Sequence, residues 1–324
     1  MSSGLDERPL RTVIESHILE RNKYQSKFPS YEFKQSDPQA SMLGVHGMSY
    51  DWKHGHAPIP TPFSTRALTF TGPNDGTNEY LEIADADAFS FDDGSGEGFS
   101  VSFWFNRDDQ AAGTQYFLEK DGEYLIQSVY IGSPSSDVQQ NLYFILYDGT
   151  GGGGYEQVII PIRTTYGFNG QHSTWEHVVF TYDGRGGATA SDGISIYVNG
   201  VDKTSSLTKL DSATYVKMVG TSNPVRIGAS TSNANGFKGK LDEFSMWSDD
   251  LTSDEAIEIY NDGIPNNLGV HSNYAETIAW WRMGDPVPTD VSTIIDEKNN
   301  HDATTNNIVA GDFFDPNWSV TNSD

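Results

Sequence analysis

The side chains of this sequence that are best suited to acid–base chemistry are its carboxylates. Hydrolysis of a glycosidic bond needs two carboxyl groups that face the same space. Glu79, Glu82 and Asp85 are close in sequence, but residues 79 and 82 would point to opposite faces of a strand. Asp242 and Glu243 are adjacent, and we expect them to face opposite ways for the same reason. These carboxylates are therefore interpreted as solvated strand residues, and the sequence predicts a protein that is not an enzyme.

Other groups that would favour catalysis are also missing. The chain has no cysteine, which excludes thiol nucleophiles and thiolate metal sites. The sequence contains no Gly-x-Ser-x-Gly elbow, no phosphate-binding loop and no His-Glu-x-x-His motif. His177 lies in a strand-like segment, where a structural histidine is the ordinary interpretation.

Alternating apolar and small polar residues run through the chain from about residue 66. The pattern is clear at 99–105 and at 194–198, and the second segment leads into Asn199-Gly200, a strong signal for a tight hairpin. Many such segments, separated by Gly and Asn, predict an all-β sandwich or barrel whose strands must position any functional side chain.

One helix is expected to interrupt the strands. Residues 252–255 (Thr-Ser-Asp-Glu) form a capping box, in which Thr and Glu satisfy each other's backbone N–H groups. We expect Ala256, Ile257 and Tyr260 to form its buried stripe and Gly263 to end it.

The N-terminal part of the chain differs in charge and composition from the rest. Residues 1–66 carry a net charge of +1 and residues 67–324 a net charge of −26. The sequence predicts an arm over 1–62, with a helix over about 8–26 followed by an irregular extended segment. A disordered tail is the alternative, but such tails contain few aromatic residues. The apolar residues that would order the arm against the sandwich or a neighbouring protein are Leu10, Val13, Ile14, Ile18, Phe28, Tyr31, Phe33 and Trp52.

Charge and hydropathy exclude several classes of partner. A net charge of −25 argues against nucleic-acid binding, which needs a basic surface. The sequence contains no run of 18 or more apolar residues, which a membrane-spanning helix requires. Its first residues do not resemble a secretory signal. We therefore expect the protein to be made in a cytoplasm.

Four motifs, in order, resemble those of laminin-G-like domains. They are residues 68–72 with 80–83, residues 99–105, residues 175–184 with 196–200, and residues 239–247 followed by the helix. This resemblance implies a concanavalin A-like antiparallel β-sandwich, or jelly roll. We assign the sandwich to 63–318, including a strand that returns after the helix, and a short tail to 319–324.

The last part of the sandwich resembles a narrower group. Residues 279–285, 295–297 and 299–307 are similar to the end of laminin-G-like proteins from tailed bacteriophages, notably marine ones. The resemblance implies a structural virion protein, such as a capsid decoration (cement) or tail-associated component. Its partners would be other capsid or tail proteins and copies of itself, after synthesis in the host cytoplasm.

The family resemblance also implies two kinds of ligand. Family members often bind calcium through acidic loops, and Asn74, Asp75 and Asp242 correspond in position to such sites. Members also bind glycans, and Tyr147 and Tyr155 flank a glycine-rich hairpin tip where they could stack on sugars. A lectin-like adhesin that recognises a host surface polysaccharide is thus the alternative to the virion protein.

Overall fold

The part of the chain that the structure describes forms two antiparallel β-sheets. The structure is a computed structural model that describes residues 63–72, 78–91, 98–107, 113–131, 139–148, 155–161, 175–232, 235–285 and 290–316. All of them belong to one of two units of the chain, Pro62–Asp324, the other unit being Met1–Thr61. The predicted arm and its helix lie outside the described residues.

Each sheet combines strands that are distant in sequence. In chain order, the strands are β1 (Ala67–Thr71), β2 (Tyr80–Ile83), β3 (Phe99–Arg107), β4 (Thr114–Lys120), β5 (Tyr124–Ile131), β6 (Gln139–Tyr147), β7 (Tyr155–Pro161), β8 (Glu176–Tyr182), β9 (Ile194–Val198), β10 (Val201–Asp202), β11 (Thr208–Leu210), β12 (Val225–Ile227), β13 (Lys238–Trp247), β14 (Thr277–Trp281), β15 (Thr293–Ile294), β16 (Ala303–Asn306) and β17 (Phe313–Phe314). The eight-stranded sheet has the order β10-β9-β8-β3-β13-β1-β17, with β14 also paired to β13. The nine-stranded sheet has the order β11-β7-β6-β5-β4-β12-β2-β16-β15. This architecture confirms the predicted antiparallel β-sandwich.

The main core lies between the two sheets and follows from the alternation seen in the sequence. On β3, Phe99, Val101, Phe103 and Phe105 all belong to one buried cluster to which both sheets contribute. The side chains between them point to the outer side of the eight-stranded sheet, because successive strand residues face opposite ways. The predicted tight turn at 199–200 is confirmed, since both residues have positive φ and join β9 to β10.

One α-helix, α1 (Ser253–Tyr260), begins at the predicted capping box. The predicted buried stripe of this helix is wrong at Ile257, which is 47% exposed. The buried residues of the helix are Ala256 and Ile259. Residues 256 and 259 are three apart and share a helix face, whereas residue 257 is rotated by about 100° from residue 256. The helix ends at Asn261, which takes the left-handed conformation and lies two residues before the predicted end at Gly263.

A second apolar cluster covers the outer side of the eight-stranded sheet beneath α1. It includes Trp247 and Trp280, together with Ala256 and Ile259 of the helix. The adjacent Trp281 enters the main core instead. The two neighbouring tryptophans thus serve two separate cores on opposite faces of β14.

The C-terminal strands are added to both sheets. β14 pairs with β13, β16 pairs with β2, and β17 pairs with β1. The sandwich therefore uses the chain up to residue 314.

Candidate functional site

The outer side of the nine-stranded sheet carries an aligned row of tyrosine and glutamine side chains. Tyr116 on β4 lies opposite Gln127 on β5, and Gln127 lies opposite Tyr143 on β6. All three are half-buried, while Ile126 and Leu142 beside them belong to the main core. Side chains directly opposite each other on neighbouring strands are about 5 Å apart, so the row is about 10 Å long. Two aromatic rings therefore flank one amide on this side of the sheet.

Tyr147 and Tyr155 extend this surface at the end of the β6–β7 hairpin. They face each other in register, with ring centroids 6.4 Å apart, and Tyr155 is 41% exposed. Burial raises the pKa of Tyr147, with smaller contributions from nearby groups that include Tyr116 and Glu119. The structure therefore brings the two predicted glycan-binding tyrosines together, and close to the first tyrosine of the row.

Two apolar side chains lie between the row and the tyrosine pair. Leu125 and Ile145 are opposite each other on β5 and β6, and neither belongs to the main core. They are nevertheless only 2% and 5% exposed. Along β6, residues 143, 145 and 147 share one face, so Ile145 separates the two tyrosines of that strand.

A row of charged side chains crosses the same side of the sheet. Arg226 on β12 lies between Glu82 on β2 and Glu119 on β4. Its Nε and Nη2 atoms each lie 2.8 Å from Glu82 Oε2, and its Nη1 donates to backbone carbonyls at 230 and 231. Glu119 Oε2 accepts the Thr231 N–H at 2.5 Å, and burial raises the pKa of Glu119. The guanidinium is therefore already neutralised and coordinated by the protein.

The carboxylates weighed for catalysis are held in structural contacts. The interpretation that they are solvated is wrong for Glu79, Asp242 and Glu243, which are buried. Glu82 and Glu119 are two strands apart, or about 10 Å along the sheet, with Arg226 on the strand between them. Glu79 is buried and accepts hydrogen bonds from the backbone and side chain of Thr71. Asp85 contacts Lys120. This arrangement differs from two carboxyl groups that flank a glycosidic bond.

Asp242 and Glu243 lie on the same face, which corrects the expectation that they point in opposite directions. The pairing of β13 with β3 shifts between Asp242 and Ser245, and Glu243 has a φ of 48°. This bulge inserts one extra residue, so two consecutive side chains turn outward. Leu241 and Phe244 on either side both enter the main core.

The bulge forms a buried acidic cluster on the outer side of the eight-stranded sheet. Glu243 accepts hydrogen bonds from Trp280 Nε1 at 2.6 Å and Arg282 Nε at 3.4 Å. Burial raises its pKa to about 7, although Arg282 opposes the shift. Burial also raises the pKa of Asp242 well above its usual range, and Glu243 adds to this. The cluster also joins the start of the sandwich to β13, since Ser64 Oγ donates to Asp242 at 2.6 Å.

Asp242, one of the three residues predicted to bind calcium, is held by hydrogen bonds within the protein. Its carboxyl is fully buried, and its two oxygens accept hydrogen bonds from Ser64 Oγ and the Glu243 N–H. Asn74 and Asp75 lie outside the described residues, so calcium binding by Asn74, Asp75 and Asp242 stays a prediction. Within the described ranges, no group of three or more His, Asp or Glu side chains could hold a metal ion.

His177 is a structural residue, as the sequence indicated. Its Nε2 lies 2.8 Å from Ser102 Oγ, and its ring packs on Trp104 at 4.9 Å. Burial lowers its pKa to about 3, so the ring is neutral at physiological pH. The pair is enclosed, with exposed fractions of 1% for His177 and 0% for Ser102, and so cannot reach a substrate.

The row Tyr116–Gln127–Tyr143 was not predicted from the sequence. The turn at Asp121-Gly122 was a usable signal, since it predicts a hairpin that would set β4 against β5. The residues of the proposed assembly arm, from Leu10 to Trp52, lie outside the described residues. Among the helices that the structure describes, none is long and apolar enough to cross a membrane.

The comparisons with known proteins identify the family. A laminin G family model, described as the concanavalin A-like lectin/glucanases superfamily, matches residues 75–256. The match covers more than half of the chain, and the protein belongs to this superfamily. No curated protein is similar enough to the chain to count as a relative.

Several solved structures are similar in fold. A putative carbohydrate binding protein from Bacteroides ovatus is 16% identical, with a TM-score of 0.50, over 81% of this chain and 62% of that protein. A SAP-like pentraxin from Limulus polyphemus is 12% identical, with a TM-score of 0.43, over 76% of this chain and 98% of that one. The CBM40 of a Ruminococcus gnavus IT-sialidase is 13% identical, with a TM-score of 0.34, over 56% and 97%. This chain thus spans less than two thirds of the Bacteroides protein, and identities this low show the fold alone.

Proposed function

We propose that this protein is a non-enzymatic carbohydrate-binding protein and that a neutral polysaccharide lies across the outer side of its nine-stranded sheet. The observation that carries the proposal is the row Tyr116–Gln127–Tyr143, three half-buried side chains aligned on neighbouring strands. The Bacteroides ovatus protein of similar fold is described as a putative carbohydrate binding protein, which is compatible with this function.

The chemistry of the surface fits a sugar chain. Tyrosine rings present an apolar face and a hydroxyl, which suit the C–H face of a pyranose and its hydroxyl groups. The amide of Gln127 can both donate and accept hydrogen bonds between the two rings. Beyond the buried Leu125 and Ile145, Tyr147 and Tyr155 provide a second aromatic contact for a longer sugar chain. Side chains held by a sheet are already positioned before binding, which lowers the entropic cost.

The charges favour neutral over acidic sugars. Glu119 lies beside the tyrosines, and Asp121 follows at the end of β4. The nearby cation, Arg226, is engaged by Glu82 and two backbone carbonyls. A sugar carboxylate or sulfate would face uncompensated negative charge, since the chain as a whole carries −25.

We propose binding without hydrolysis because the carboxylates near the surface are held by other groups. Glu82 is paired with Arg226, and Glu119 accepts a backbone N–H. Neither is placed opposite a second free carboxyl at the separation that glycoside hydrolysis requires. The bound polysaccharide should therefore be recovered uncut.

A glycan microarray that contains neutral, sialylated and sulfated glycans tests this function. We expect the wild-type protein to bind neutral glycans and the Tyr116→Ala/Tyr143→Ala variant to lose the signal. Tyr274→Ala is the matched control, since Tyr274 is half-buried and packs against the second apolar cluster on the other sheet. Wild-type binding to none of the glycans, or a double variant that binds as strongly as wild type, would overturn the proposal.

We also propose that the protein is a structural component of a bacteriophage virion, attached through residues 1–62. The support is the charge break near residue 66 and the resemblance of residues 279–307 to phage laminin-G-like proteins. A capsid or tail component can also bind a host surface glycan, so the two functions are compatible.

Immunogold labelling of purified particles tests this second function. We expect label on the capsid or tail, and we expect a protein that lacks residues 1–60 to fold but to be absent from particles. Unlabelled particles, or particles that incorporate the shortened protein at wild-type level, would contradict the proposal.

A further inference from the structure

The ammonium group of Lys120 lies in a cage of protein oxygens at one end of the sandwich. Lys120 is the last residue of β4, and its side chain is fully buried. Its Nζ lies 2.9 Å from Asp85 Oδ1 and 2.6 Å from Glu123 Oε1. It also donates to the backbone carbonyls of Thr221, at 2.8 Å, and Asn223, at 3.1 Å. Four oxygens from three separate segments therefore surround one cation.

The same oxygens connect these segments to one another. Glu123 Oε1 accepts hydrogen bonds from the Thr221 N–H at 2.7 Å, from Thr221 Oγ1 at 3.0 Å and from Ser90 Oγ at 3.2 Å. Glu123 lies in the turn between β4 and β5, and its carbonyl accepts the Tyr147 N–H at 2.7 Å. The cage therefore fixes the turn that borders the tyrosine pair.

The oxygens of the cage are of the kinds that calcium binds. Calcium binds six to eight oxygens from carboxylates, backbone carbonyls and hydroxyl or water oxygens. Besides the four oxygens at Nζ, Glu123 Oε2 is buried and accepts no hydrogen bond, and Thr221 Oγ1 is adjacent. The two carboxylates carry a formal charge of −2, which one ammonium only half balances. Asp85 is 36% exposed, so the cage has a side that is open to solvent.

We propose that Lys120 is a covalently attached cation that fills a divalent-cation site, and that shortening its side chain produces a calcium-binding site. In the wild-type protein the lysine holds the two carboxylates and the two carbonyls together without requiring an exchangeable ion. The proposal is independent of glycan binding, because it concerns only the oxygens around Nζ.

Thermal unfolding of Lys120→Ala with calcium chloride or with a chelator tests the proposal. In chelator, we expect the variant to melt roughly 5–15 °C below wild type, because the carboxylates lose their buried partner. In about 10 mM calcium, the melting temperature of the variant should rise by about 3 °C or more beyond any rise in wild type. Terbium should also bind the variant and luminesce on excitation of Tyr124, since the charges of Asp85 and Glu123 act on its hydroxyl.

Three control variants separate a cation site from a general effect of calcium. Lys120→Met fills the space without a charge, so it should be destabilised but unresponsive. Asp85→Asn/Lys120→Ala removes one carboxylate and should lose most of the response. Lys209→Ala removes a partly exposed lysine paired with Asp192 and should behave as wild type.

Three outcomes would overturn the proposal. The first is a Lys120→Ala protein that is destabilised but responds to calcium no more than Lys120→Met. The second is a calcium response that persists in Asp85→Asn/Lys120→Ala. The third is a Lys120→Ala protein that stays insoluble even when expressed and refolded in calcium, while Lys120→Met folds.

Discussion

Two neighbouring side chains on β8 show how burial shifts pKa values in this protein. Glu176 is 6% exposed, and burial raises its pKa to about 7 although Asn199 Nδ2 donates a hydrogen bond to it. Burial lowers the pKa of the adjacent His177 to about 3. In both cases burial disfavours the charged form, so the two groups affect stability with opposite dependence on pH.

The raised pKa of Glu176 predicts a measurable pH dependence of stability. Between pH 4.5 and about 7 the folded protein keeps a proton on Glu176 that the unfolded chain has lost. Its stabilising contribution is therefore complete below about pH 4.5 and decreases as the pH rises toward 7. In Glu176→Gln, which cannot titrate, the free energy of unfolding should rise relative to wild type by up to about 1.4 kcal/mol per pH unit over this range.

Urea denaturation at several pH values between 4.5 and 7.5 measures this difference. The control is Glu276→Gln, which makes the same substitution at an exposed residue. A difference between Glu176→Gln and wild type that stays constant with pH would mean that Glu176 ionises normally in the folded protein.

At the scale of the strands, bulges decide which side chains share a surface. The bulge at Asp242 and Glu243 turns two acids to one side of β13. A second register shift, between Tyr116 and Leu118, lets both Phe117 and Leu118 enter the main core. Neither bulge is marked by a glycine at the bulged residues. Both bulges arise from the pairing with neighbouring strands.

These bulges explain which parts of the site the sequence could predict. The antiparallel sandwich follows from local alternation and turn residues, and it was predicted correctly. Tyr147 and Tyr155 were found because a glycine run between them marks a hairpin. The alignment of Tyr116 with Tyr143 depends on the pairing of three strands and on the bulge in β4, so alternation within one segment could not reveal it. For the same reason, the sequence could not predict that Glu243 turns outward.

The strand β14 shows that the C-terminal region contributes to the core. Trp281 is fully buried, and its Nε1 donates to the carbonyl of His301 at 2.8 Å. Replacing it with alanine should lower the free energy of unfolding by about 3–5 kcal/mol, because a large cavity forms in the main core. The measurement is urea denaturation of the purified variant.

The control for this prediction is Ile257→Ala on α1. Ile257 is 47% exposed, and a surface substitution of this kind should change stability by no more than about 0.5 kcal/mol. Equal losses in the two variants would contradict the assignment of Trp281 to the core and of Ile257 to the surface.

At the scale of the whole molecule, the fold alone does not determine the function. Concanavalin A-like sandwiches support both binding and catalysis, so the assignment must rest on the side chains displayed by a particular surface. Here the outer side of the nine-stranded sheet is the candidate, because aromatic and amide side chains are aligned there, whereas α1 and the second apolar cluster cover part of the outer side of the other sheet. The overall charge of −25 further disfavours negatively charged ligands.

Isothermal titration calorimetry with the neutral glycan that gives the strongest microarray signal tests the central claim most directly. Truncating an aromatic residue at the centre of a binding surface typically costs more than about 1 kcal/mol, which corresponds to a Kd about fivefold higher. We predict at least this loss of affinity for Tyr143→Ala, and a Kd for Tyr274→Ala that equals the wild-type value. A Kd for Tyr143→Ala equal to that of wild type would contradict the claim that sugars bind across the outer side of the nine-stranded sheet.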